Sequence, residues 1–182
     1  MQGNREYEVT LGIAMLYNVR EQEAVRLKAA ARRALISGAS ASACSSIALS
    51  ICSRIDEGSY AGGLNGPSQW LWGQAEAYTR QASLRHTGVG YVIHHLTSVF
   101  WALSYERIFG EPALDKTPLR RCAEAAISSA GAYVVDYYLT PPRLRPGFKK
   151  HLRTRSMFFV YGAFAVGLAA TSIVRDRRRN AQ

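Results

Sequence analysis

The sequence predicts an all-α fold: an integral membrane bundle of about four antiparallel transmembrane helices, with an amphipathic N-terminal helix and an interfacial helix before the second span. Three observations predict it. Apolar runs recur at 34–53, 88–109, 119–140 and 156–174, each near the ~20 residues an α-helix needs to cross a hydrocarbon core of ~30 Å. The connections are short or carry Gly and Pro, which suits antiparallel neighbours. Lys and Arg gather beside the runs, where anionic headgroups attract them. The mean hydropathy of −0.11 hides this segmentation, because basic stretches offset apolar ones. At 182 residues the chain is one domain's worth.

In chain order, residues 1–33 form a basic surface helix. Its REQEAVRLKAAARR stretch is rich in helix formers, and its last turns are basic. A signal peptide has a similar basic-then-apolar order, but this one starts late and lacks a clean small-residue cleavage site, so cleavage is not expected. The first span, 34–53, has no formal charge. Its Ser37, Gly38, Ser40, Ser42, Ser45 and Ser46 are poor lipid anchors, but small residues let helix backbones approach, which predicts a central position. Alone, the segment also suits a soluble Ala/Ser helix. Between Arg54 and His86 a flexible GSYAGGLNGPS loop precedes QWLWGQAEAYTRQASLRH. Trp70, Trp72 and Tyr78 there suit an interfacial helix with rings at headgroup level, or packing on the bundle end.

The second span, 88–109, carries the adjacent pair His94 and His95 in a stretch free of formal charge from Thr87 to Tyr105. Glu106 and Arg107 at its end suit a solvated interfacial pair. The link EPALDKTP reads as a tight turn between antiparallel helices. The third span, 119–140, must bury Asp136, pair it, or hold it at an interface. The fourth, 156–174, is the clearest, with small faces at Gly162, Ala163, Gly167 and Ala170. A basic tail, 175–182, follows.

The polar residues converge if the spans alternate in direction. His94 and Asp136 then sit about 6–9 Å below the same face, with His86 and His151 at that face and Ser98 and Tyr138 nearby. Adjacent histidines diverge by about 100° on a helix, so His95 needs a partner from elsewhere to share a small ion with His94. Three readings remain open. His94, His95 and Asp136 are a minimal metal set; imidazole with a carboxylate suits a proton relay; or the histidines bond to Ser or Tyr on neighbouring helices while Asp136 pairs with Arg143. A metal ion is the one cofactor that the side chains suggest, and no other is predicted. Neither HExxH, a P-loop nor a nucleophile elbow is present. The three cysteines lack CxxC spacing, which supports neither a disulfide framework nor a thiolate metal site.

A net charge of +10 raises a nucleic-acid partner, but no nucleic-acid-binding motif accompanies it. The expected partner is a bilayer with anionic headgroups, held by Arg143, Arg145, Lys149 and Lys150, with a membrane-protein partner or homo-oligomer as a further possibility. Fourteen of the 23 Lys and Arg fall on the side of the two termini, so the positive-inside rule predicts both termini in the cytoplasm. The basic PPRLRPGFKKHLRTR segment opposes that orientation. HHLTSVFWALSYE with DYYLTPPRLRPGF resembles small, uncharacterised multi-helix bacterial inner-membrane proteins, a resemblance covering the second to fourth spans. It implies architecture and an inner-membrane location, and no activity. The function expected is therefore a non-enzymatic multi-pass protein that binds anionic lipid or a membrane partner through basic loops. The alternatives are a metal- or proton-dependent carrier or membrane enzyme centred on His94, His95 and Asp136, and a soluble helical bundle.

Overall fold

A computed structural model describes residues 2–110 and 116–181. These are all-helical, with 84% helix and no strand, which settles the all-α class. Residues 111–115 of the expected EPALDKTP turn lie outside the described residues. The long helices are α1 (Gln2–Glu57), α4 (Val89–Ile108), α5 (Pro118–Val134) and α6 (Thr154–Asn180). Two single-turn helices, α2 (Gly62–Asn65) and α3 (Gln69–Trp72), lie between α1 and α4.

The direction of each long helix follows from its end contacts. Arg33, where the apolar part of α1 begins, meets Glu106 at the end of α4, and Glu106 also meets Arg175 near the end of α6. Arg121, near the start of α5, meets Asp176 of α6. The helices therefore alternate in direction. α1 is the central one, packed along both α4 and α6, with α5 against the other side of α6.

Small residues make that central position possible. Ser37, Ser42, Ser45, Ala34 and Ala41 are buried on the inner face of α1. At Gly38 a Cβ would lie 2.7 Å from Val99 Cα of α4, and at Gly167 of α6 a Cβ would lie 2.4 Å from Ala41 Cα. Any side chain at either position forces the backbones apart, so both contacts depend on glycine. Gly162 and Ala170, expected to serve the same purpose, instead face outward.

The termini differ from expectation. The change in composition at residue 34 suggests two elements, yet α1 runs from Gln2 to Glu57 as one helix of 56 residues, about 84 Å long at the usual rise. No proline or glycine interrupts the junction, and the Ala-rich KAAARRA sequence favours continuation. The basic tail likewise continues α6 to Asn180.

The region between α1 and α4 is also reorganised. The Gly- and Pro-rich stretch expected to be flexible is buried from Ala61 to Gln69 apart from the half-buried Leu64. Side chains supply the hydrogen bonds that such irregular backbone needs. Asn65 Nδ2 donates to the carbonyls of Thr79 (2.6 Å) and Gln81 (3.0 Å), while its Oδ1 accepts from Thr87 Oγ1 (2.7 Å). Gln69 Nε2 donates to the Arg145 carbonyl. No continuous interfacial helix forms, because Gly73, at φ +93°, ends α3 after one turn.

Outward faces are strongly apolar. Ile36, Ile47 and Ile51 on α1, Val92, Leu96 and Phe100 on α4, Ile127 on α5, and Phe158, Phe159 and Val166 on α6 are all at least half exposed. Two described helices, α1 from Tyr17 and α6, are long and apolar enough to cross a membrane by length and composition. α4 is made less apolar by His94, His95 and its polar end, and α5 has 17 residues, short of the ~20 that a span needs.

Candidate functional site

The site lies at the end of the bundle where α1 and α5 finish and α4 and α6 begin. Two irregular segments, 58–88 and 140–153, close this end. His151 ties them to α1: its Nδ1 is 2.7 Å from Glu57 Oε1, and its Nε2 meets the Ala77 carbonyl. Ser53 Oγ donates to the same Glu57 oxygen and accepts from the Gly63 backbone N–H. Gly147, at φ +77°, brings its chain against the Gly66 backbone, where a Cβ would lie 2.6 Å from the Gly66 oxygen. His86, at the mouth of α4, pairs with Glu76 at 2.8 Å.

Beneath this cap lies a cavity of ≈ 50 Å³, room for a few water molecules. Pro67, Trp70, Leu144, Pro146 and Phe148 roof it. His94, Ser98 and Trp101 of α4, Ser45 of α1, Asp136 at the end of α5, and Tyr161 of α6 form its walls. The structure thus brings His94, Ser98 and Asp136 to one place, as the alternating directions of the spans imply.

Most of the polar groups have a defined partner. Ser45 Oγ lies 2.7 Å from the Ala41 carbonyl and shares a hydrogen bond with His94 Nε2 at 2.9 Å. The ring also packs edge-on against Phe148 with centroids 5.6 Å apart. Asp136 Oδ2 accepts from Tyr161 OH at 2.6 Å, and Trp101 lines the cavity with it. Tyr161 replaces the Arg143 partner considered from sequence, because α6 passes directly beside the end of α5. Trp70 Nε1 is buried without a partner.

The remaining expected members lie elsewhere. His95 stacks on Tyr91 (ring centroids 6.1 Å apart) and does not line the cavity, as the angle between adjacent helical residues demands. Tyr138 is 68% exposed. His94, His95 and Asp136 therefore do not converge, and among the described residues no three His, Cys, Asp or Glu side chains come close enough to hold a metal ion. Trp101 shares the helix stripe of His94 and Ser98 by its spacing, whereas nothing in the sequence marks Ser45 and Tyr161 as joining them. Ser45 was visible as a small packing residue, but only tertiary contact shows that it faces His94.

The basic segment borders this end. Lys149 is exposed, and its Nζ lies 4.2 Å from the Tyr137 ring centroid and 5.1 Å from that of Tyr133, a cation–π arrangement that positions the ammonium. Lys150 Nζ lies over Tyr78 at 4.6 Å, and burial pushes its pKa down. Arg145 Nε donates to the Thr140 carbonyl, closing its own loop, and Arg143 is exposed.

The opposite end holds a cluster that sequence placed at a solvated surface. Glu106 is fully buried and joined by Arg33 (3.0 Å) and Arg175 (3.1 Å), while Arg107 reaches Glu23 instead. Arg121 grips both oxygens of Asp176 at 2.7 and 3.0 Å. Three helices converge on Glu106, so a carboxylate at a helix end becomes an interior group. Compared with known proteins, the chain matches no protein-family model, no curated protein and no solved structure.

Proposed function

We propose that the chain is a multi-pass membrane protein of the bacterial inner membrane, non-enzymatic, which holds anionic lipid at its capped end through the basic segment carrying Arg143, Arg145, Lys149 and Lys150. The observation that carries this reading is the extent of the apolar exterior. Serine, histidine, glutamate and arginine share the interior with an apolar core that includes Leu49, Phe164 and Leu168, while further isoleucine, leucine and phenylalanine side chains face outward on α1, α4 and α6. An apolar exterior of that extent marks a membrane or a protein partner. From Ile36 to Ile55, both exposed, the outward band of α1 spans about 28 Å, close to the hydrocarbon thickness of ~30 Å. Cations at both ends suit headgroups, and the resemblance to small bacterial inner-membrane proteins agrees.

Neutralising Arg143, Arg145, Lys149 and Lys150 together tests it. Retention of phosphatidylglycerol by the purified protein should fall, and unchanged retention contradicts the lipid reading. A second reading, a proton-coupled carrier, has one specific observation in its favour: His94 and Asp136 share a cavity large enough for water. Proton uptake by proteoliposomes that disappears in both His94→Ala and Asp136→Asn supports it, and uptake that survives both removes it.

A further inference from the structure

We propose that the outer groove between α5 and α6 holds one acyl chain of an anionic phospholipid whose phosphate is taken by Lys149. The proposal rests on the lipid reading above and narrows it to one place. The groove has a volume of ≈ 290 Å³ and an almost wholly apolar lining. Ala126, Ala130 and Val134 form one wall, and Phe158, Gly162 and Ala165 form the other. From Ala126 to Val134 it runs about 12 Å along the helix axis. Nothing lies within 4 Å of where a Gly162 Cβ would sit, so this glycine is not required by packing between helices. Its absent side chain deepens a channel on the outward face.

Charge is placed at one end only. Tyr133 and Thr154 line the groove where it reaches the capped end of the bundle. Tyr133 is also one of the rings beneath the Lys149 ammonium, with Tyr137 and Tyr138 completing the platform. Lys149 has no carboxylate within salt-bridge distance among the described residues, whereas the cations of the opposite end, Arg33, Arg121 and Arg175, are each matched to one. A fixed, exposed cation at the mouth of an apolar channel complements a molecule with a phosphate at one end and a hydrocarbon chain behind it. The other basic residues of the segment lack such a channel: Lys150 turns toward Gln74 and Tyr78, and Arg145 is bonded to Thr140.

The test uses the full chain in detergent, incubated with phosphatidylglycerol or phosphatidylcholine, with bound lipid counted by native mass spectrometry. Lys149→Gln should lower phosphatidylglycerol retention about fivefold, the factor set by roughly 1 kcal/mol per surface cation. Gly162→Leu, whose Cβ meets nothing within 4 Å and whose larger side chain occupies the groove, should lower it by a similar factor, with little further loss when the two are combined. Gly131→Leu is the matched control, since that glycine also faces open space and does not line the groove, and it should retain lipid as the natural protein does. Ala130→Leu, from the opposite wall, repeats the test should Gly162→Leu fail to fold. If Lys149→Gln loses lipid and neither groove variant does, the groove proposal is overturned while the basic-segment reading stands. If none of these variants nor the fourfold neutralisation loses lipid, both fail. Equal retention of the two lipids also overturns it.

Discussion

The two ends of this bundle solve the same problem by opposite means. At one end, the helices are joined by charge: Glu106 is held by Arg33 and Arg175, and Arg121 by Asp176, all side chain to side chain. At the other, loops fold over the helix ends, and the bonds run largely from side chains to backbone, as with Asn65, Gln69 and His151. The difference follows from connectivity. Every segment joining helices at the capped end is long enough to fold inward, and inward-folded backbone must find partners away from water. Among the described residues, the charged end is held chiefly by pairing, with Arg121 and Lys116 also donating to the Phe109 carbonyl. The polar-walled cavity of His94 and Asp136 lies under the loop-built cap.

The comparison makes unequal predictions for the two ends. The largest effect should come from Glu106→Ala, which leaves Arg33 and Arg175 facing each other at the buried end. A loss of about 3–5 kcal/mol is expected, seen as a large drop in melting temperature in detergent. Replacing Gly167 by Leu should cost about 1–3 kcal/mol or more through overpacking against Ala41, and it should loosen both ends equally because it lies between them. Asn65→Ala removes three hydrogen bonds of the cap and should cost roughly 1–3 kcal/mol. Its signature is local: faster amide hydrogen exchange across 59–88, with α5 and the Arg121–Asp176 pair unaffected. The smallest effect is expected for Asp136→Asn, whose amide oxygen can still accept from Tyr161. A change under about 1 kcal/mol in melting fits that substitution, and a large change would show the carboxylate itself to be structural.

Legibility differed along the same division. The alternation of the helices and the central place of the serine-rich span could be read from charge-free runs and small residues, because both depend on composition within one segment. Convergence of His94, Ser98 and Asp136 followed from depth along alternating helices. The partners did not: Tyr161 and Ser45 belong to other helices, and their rotation about the helix axis is set by contacts at Gly38 and Gly167. The cap was misjudged because GGLNGPS has the composition of a flexible loop, while its burial depends on Gly147 and Leu49, distant in sequence. Glu106 was misplaced for a related reason. A charge next to Arg107 resembles a surface pair, and only the packing of α1 and α6 against α4 encloses it. The continuity of α1 was obscured by a change in composition at residue 34 that does not interrupt helical propensity.

The central claim is that the apolar exterior faces lipid, and labelling of single cysteines in intact membranes tests it most directly. In a cysteine-free background, Ile47→Cys, Phe100→Cys and Val166→Cys lie on outward mid-helix faces, while Arg143→Cys and Arg179→Cys lie at the two ends. A membrane-impermeant maleimide, applied to vesicles opened to expose both faces, should label the two end positions and leave the three mid-helix ones unlabelled. Denaturation should then make all five reactive. Labelling at Ile47, Phe100 and Val166 as fast as at Arg143 would contradict the account and place that surface in water or against a soluble partner.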